Sequence, residues 1–121
     1  MSLDSAARRR YARHILLGEV GEAGQERLLG VRFRPGAGAD EDAYAVAAEY
    51  LERAGCREDA QGDAVPVPDA DAVAQFAGSA ELRAPAAAIV GAFAAAEQIK
   101  RVLGVGTVRG FPSDARLSGE D

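Results

Sequence analysis

The sequence predicts an α/β domain, in which a small sheet of two or three strands is packed by helices. Three observations carry this reading. Val31-Arg32-Phe33-Arg34 alternates apolar and basic residues, the period of a strand. Tyr44, Ala47, Ala48, Leu51 and Ala54 fall on one helical face, with Glu49, Glu52 and Arg53 opposite. Ile89, Phe93, Ala96, Ile99 and Leu103 repeat at helical spacing along a longer segment. A length of 121 residues argues for a single domain, 1–121. Alanine supplies 27 of those residues, so large apolar side chains are few and the predicted core is thin.

Each element has its own signals. Asp4 or Ser5 can cap a first helix that runs through the arginines toward Leu17, with Tyr11 and Ile15 on its apolar side. Gly18, Gly21 and Gly24 break that pattern, and a short helical turn is expected over Gln25 to Leu29. The strand at Val31–Arg34 ends in a Pro35-Gly36-Ala37-Gly38 turn. Asp40, Glu41 and Asp42 suit the start of the next helix, and Gly55 its end. The polar stretch from Cys56 to Asp63 reads as a loop with room for a short strand. Val65-Pro66-Val67-Pro68 is extended, because proline restricts the residue before it. Asp69 or Asp71 caps a short helix through Phe76, which Gly78-Ser79 ends. In the last helix, Pro85 fits the first turn, Lys100 and Arg101 suit the C-terminal dipole, and Gly104 stops it. A short strand around Val108 is expected in the tail.

Composition excludes several function classes. The balance of 14 basic and 19 acidic residues gives −5, which argues against nucleic-acid or anionic-membrane partners. The N-terminus has no apolar signal core, and no run reaches the roughly 18 apolar residues of a membrane span. The expected setting is cytoplasmic. Cys56 is the only cysteine and His14 the only histidine, so an internal disulfide, a cysteine-based metal cage and a Ser-His-Asp triad are all disfavoured.

Two segments carry a resemblance. Arg10-Tyr11-Ala12-Arg13-His14-Ile15-Leu16-Leu17, with Glu19, Gly21, Gly24, Gln25 and Leu28, is similar to an R-Y-x-R-Q-I-L-L-x-E-x-G-x-x-G-Q-x-x-L opening. Val90 to Gly104 is similar to a later V-G-x-x-x-A-x-E-x-I-K-x-x-x-G helix, and Asp114 to Glu120 to a D-A-x-S-G-E ending. Together they resemble the ThiF/MoeB/HesA enzymes, bacterial relatives of the ubiquitin-activating enzymes. The resemblance implies a Rossmann-like fold, reduced here to a remnant. It also implies Arg13 as an arginine that reaches a partner's ATP in trans, and Gly36 and Gly38 as the remains of a G-x-G-x-x-G nucleotide turn. Apart from the resemblance, Arg13 reads as a surface arginine in a basic helical turn or as a partner of Glu19 or Glu22.

The departures are specific. His14 stands where the family has glutamine, and the family has more chain between the two segments. Glu41 stands where the third glycine is expected, flanked by Asp40 and Asp42. Such a turn binds phosphate through backbone N–H groups and a helix dipole, and carboxylates there repel the triphosphate and satisfy the dipole themselves. Glu58 and Asp59 match the ribose-binding acid only by position. The family's ATP-gripping cations, magnesium-binding aspartate, CxxC zinc ligands and catalytic cysteine have no counterpart, and Lys100 is the only lysine.

The resulting expectation is a non-catalytic pseudo-subunit with no cofactor and no metal site. It would form a homodimer, or a heterodimer with a full-length family member that adenylates a ubiquitin-like or sulfur-carrier protein. Two alternatives stay open: an active adenylyltransferase that completes an ATP/Mg site with a partner chain, and an unrelated small interaction domain. For the remaining residues the structural role is preferred. Arg8 to Arg10 form a solvated basic edge, His14 lies at a surface or interface, and Cys56 and Gly91 serve packing. Asp63, Asp69 and Asp71 serve capping and solvation.

Overall fold

The computed structural model describes residues 21–117. Its central strand, β1 (Arg32–Pro35), follows a helix, α1 (Gly21–Leu29), and leads through a turn into α2 (Glu41–Arg53). Two very short strands follow, β2 (Arg57–Glu58) and β3 (Asp63–Val65). The chain then forms α3 (Ala70–Ala77), a 3₁₀ turn (Ala80–Leu82) and the long helix α4 (Arg83–Leu103). The architecture is therefore α/β, with a three-stranded parallel sheet in the order β2-β1-β3.

Alternation along β1 sets the layers. Phe33 is fully buried, whereas Arg32 and Arg34 are exposed. The Phe33 side joins a core with Leu28, Ala47, Leu51, Val65 and Val90. The opposite side is crossed by residues 59–62, which carry the chain from β2 on one flank of β1 to β3 on the other. Arg32 pairs with Asp59 at 3.6 Å and Arg34 Nε donates to the Gly62 carbonyl at 2.9 Å, holding the crossing down. At Gly62 the backbones nearly touch: a Cβ there would lie 2.5 Å from Arg32 C and Phe33 N.

α2 and α4 form the main helix–helix contact. The expected stripe on α4 is corrected here. Ile89 is 43% exposed and Ala96 is exposed, while Ala86, Ala87, Val90, Gly91, Ala94 and Ala95 are buried. The buried stripe is made of small residues because the two helices approach closely. A Cβ on Gly91 would sit 2.3 Å from the Ala43 carbonyl oxygen and 2.8 Å from Val46 Cβ. A larger side chain at Gly91 would force the helices apart. Toward the C-terminal end of α4 the expected stripe holds, with Leu103 buried and Ile99 packed against the core.

The ends of the elements follow the local signals. Asp40 and Asp69 cap α2 and α3 by accepting from Ala43 N and Ala72 N. Gly78 and Gly104 end α3 and α4 in the left-handed conformation. Two expectations are corrected. Gly21 and Gly24 do not interrupt α1, which begins at the first and buries the second. No strand forms around Val108; residues 107–112 run without a ladder partner. Instead Phe111 sits edge-on to Phe76 and Phe93, with ring centroids 4.9 and 5.3 Å away, and Leu117 N donates to the Phe76 carbonyl at 2.7 Å. Among the described residues, no helix is long and apolar enough to cross a membrane.

Candidate functional site

The turn that joins β1 to α2 holds the two glycines singled out by the resemblance. Gly38 has φ +78°, a conformation that favours glycine, and nothing lies within 4 Å of where its Cβ would be. Gly36 is less constrained. A Cβ there would meet the Val65 carbonyl oxygen at 3.5 Å, an ordinary contact. Ala39 N donates back to the Gly36 carbonyl at 3.3 Å, and Asp40 N donates to the Pro68 carbonyl at 2.9 Å. These amides are therefore directed into the protein.

Asp40 completes the arrangement. It is only 5% exposed, and its Oδ2 accepts from Ala43 N at 2.9 Å. Its Oδ1 accepts from Arg83 Nη2, at the start of α4, at 2.5 Å. Burial pushes the Asp40 carboxyl up, but the Arg83 hydrogen bond, the Ala43 amide and the Arg83 charge outweigh it and hold the group below its ordinary value. The same contact raises Arg83, against the opposing effect of its own burial. The positive end of the α2 dipole thus faces a carboxylate from its own chain, neutralised in turn by a guanidinium. An incoming phosphate would compete with Asp40 for the same amide, and Asp40 is covalently in place.

Of the three acidic residues that crowd this turn, only Asp40 points inward. Glu41 and Asp42 are exposed, with the Asp42 charge acting on Arg83 at longer range. Glu58 and Asp59 are also engaged elsewhere. Glu58 Oε2 accepts from the Tyr44 hydroxyl at 2.6 Å, and Asp59 pairs with Arg32. Burial and the Glu58 contact together push the Tyr44 hydroxyl far above its usual range.

The remaining sequence candidates separate by role. Cys56 is buried, and burial pushes its thiol up to about 11, away from nucleophilic character. Lys100 Nζ pairs with Glu97 at 2.9 Å on α4. Asp63 lies on β3, Asp69 caps α3 and Asp71 lies in the first turn of α3. Arg13, His14, Arg8 to Arg10 and the rest of the opening motif lie outside the described residues. Gly91 serves the α2–α4 contact, as its position in an alanine-rich helix suggested.

Sequence reasoning missed three residues that organise this region: Arg83, Glu97 and Phe111. Arg83 had a signal, being the only charge between Glu81 and Glu97 in an otherwise apolar stretch. Glu97 is buried on the packing helix, with Oε1 accepting from Arg109 N at 2.6 Å and Oε2 from Lys100. The Lys100 and Arg109 contacts hold its carboxyl below the ordinary value. Nothing in the local sequence announced the Arg109 contact, which joins residues 12 apart across the end of a helix. Comparison with protein-family models, with curated proteins and with solved structures finds no match.

Proposed function

We propose that this protein is a non-catalytic association subunit, a shortened relative of the ThiF/MoeB/HesA enzymes that pairs with itself or with a full-length relative. The observation that carries the non-catalytic reading is Asp40. It occupies the N-terminus of α2, at the end of the turn where the family's nucleotide phosphates would approach, and it is already matched by Arg83. Transfer of an adenylyl group requires positioned cations around the phosphates. Arg83, which meets this turn, is committed to a carboxylate, and Arg34 before it donates to the Pro35 and Gly62 carbonyls.

The relationship itself rests on the two sequence segments and is compatible with the local order of elements. β1, the glycine turn, α2 and a parallel β2 make one β-α-β unit, the piece a reduced Rossmann-like remnant would keep. Association is favoured by short strands, of which β2 and β3 are edges among the described residues. It is also favoured by apolar side chains left outside, with Leu29, Tyr50 and Ile89 between 40% and 47% exposed. On this reading the protein works in the cytoplasm, needs no cofactor of its own, and meets a ubiquitin-like carrier only through its partner. Arg13 then supplies a guanidinium to the partner's ATP.

The test combines assembly with activity. Light scattering at micromolar concentration should give twice the chain mass, or a 1:1 complex when a full-length family member is added. Pyrophosphate exchange by that enzyme should rise on addition of the wild-type chain. The Arg13→Ala variant should associate equally but fail to stimulate. A chain that stays monomeric and forms no complex contradicts the association reading; equal stimulation by both versions removes the role of Arg13.

A further inference from the structure

At the carboxyl end of β3, the end at which open parallel sheets take ligands, lies a 250 Å³ cavity that the α2 turn does not use. Its walls are Pro66, Pro68, Phe93 and Phe111. The aromatic wall is built in advance, because Phe111 is fixed edge-on between Phe76 and Phe93. The tail that carries Phe111 is pinned by the Arg109 amide on Glu97. A ligand entering here would meet an apolar corner in which the Phe93 and Phe111 rings stand at 87° to each other.

The charge of this cavity runs against that of the protein. The whole chain carries −5. Arg101 and Arg109 both line the cavity and are both exposed. Glu97 is the only carboxylate in its lining, and its two oxygens are taken by Lys100 Nζ and Arg109 N. Arg101 Nη1 donates to Gln98 Oε1 at 2.7 Å, a neutral partner that leaves its charge uncompensated. Among the described lining residues, one carboxylate therefore stands against Arg101 and Arg109, and Lys100, outside the lining, already pairs with it. Pockets of this kind bind through an apolar body and a few placed polar groups, and guanidinium forks match a carboxylate in shape as well as sign.

We propose that this cavity binds a small organic anion, with a flat apolar body between the prolines and the two phenylalanines and a carboxylate at Arg101 and Arg109. The volume suits a ligand of one or two rings. This inference stands apart from the association reading, since none of its residues belongs to the α2 turn and only Pro68 touches it, its carbonyl accepting from Asp40 N.

The probes are 2-naphthoate and its neutral counterpart 2-naphthamide, titrated into the full chain and followed by amide chemical shifts. Naphthoate should bind saturably, at least tenfold more tightly than naphthamide, with the largest shifts at Val67 and at residues 93–111. Raising the salt concentration should weaken naphthoate and leave naphthamide unchanged. In Arg101→Gln/Arg109→Gln the difference between the probes should vanish. Both side chains are exposed, so that variant should keep its circular dichroism and melting transition. Equal affinity for the two probes, naphthoate binding that survives the double substitution, or no saturable shift would overturn the proposal.

Discussion

Asp40 and Arg83 lie 43 residues apart in sequence and meet at 2.5 Å, joining the N-terminus of α2 to that of α4. The contact does two things at once. It closes the first turn of α2 with a carboxylate from the same chain, and it ties the helix that follows β1 to the helix that covers it. The structural and functional consequences of this pair are therefore linked.

Asp40→Ala removes both an N-cap and a charge-assisted hydrogen bond, and should cost about 2–3 kcal/mol in urea unfolding. The pair also sets a pH dependence. The folded-state values of Asp40 and Glu97 are held below their ordinary values of 3.8 and 4.5. The unfolded chain therefore binds protons first as pH falls. The stabilisation is fully present above those ordinary values and is lost as pH drops through the lower folded-state values. Unfolding midpoints measured between pH 7 and pH 2 should show this acid limb, and Asp40→Asn should flatten part of it. A midpoint independent of pH in wild type contradicts the assignment.

Gly91→Ala should be far more harmful than its size suggests. The added Cβ meets the Ala43 carbonyl oxygen and Val46, backbone and branched side chain that cannot both retreat. Overpacking of this kind costs about 1–3 kcal/mol, and the upper part of that range is expected. Ile89→Ala, on the exposed side of the same helix, should cost less than about 1 kcal/mol. Thermal or urea unfolding of the two variants would reverse this order if the larger residues faced the core.

The crossing at Gly62 gives a second contrast between glycines. Gly62→Ala puts a Cβ against the backbone of Arg32 and Phe33, so the loop must lift and β3 must lose its pairing with β1. Gly36→Ala meets only an ordinary contact with the Val65 carbonyl and should stay within about 1 kcal/mol of wild type. Hydrogen exchange should show loss of protection in residues 63–65 for the first variant only. Strong destabilisation by Gly36→Ala would mean that this position still needs the close approach of a phosphate turn.

Much of this fold was legible because its signals are local. The alternation in Val31–Arg34, the acidic start of α2, and the glycines that end α3 and α4 each report a property of a few adjacent residues. The alternation agrees with the exposure of Arg32 and Arg34 on one side of β1, since a strand buried on both sides reads as continuously apolar. The buried stripe of α4 was misread because spacing favoured Ile89 and Phe93, the larger residues. A close helix–helix contact selects the smaller ones, and only the position of α2 reveals that. The site was half legible. Three acids at the turn were visible as repulsive to phosphate, but their unequal orientations and the Arg83 partner depend on contacts far apart in sequence.

The N-terminus of α2, closed by Asp40, should take no nucleotide. Thermal unfolding of the wild-type chain with increasing Mg-ATP, into the millimolar range, tests it most directly. Saturation at 100 times the dissociation constant would stabilise the protein by about 2.7 kcal/mol, a readily measured shift. With Asp40 in place, the melting temperature should stay unchanged at every concentration. A saturable, dose-dependent rise that is lost on substitution of residues in the 36–40 turn would contradict it.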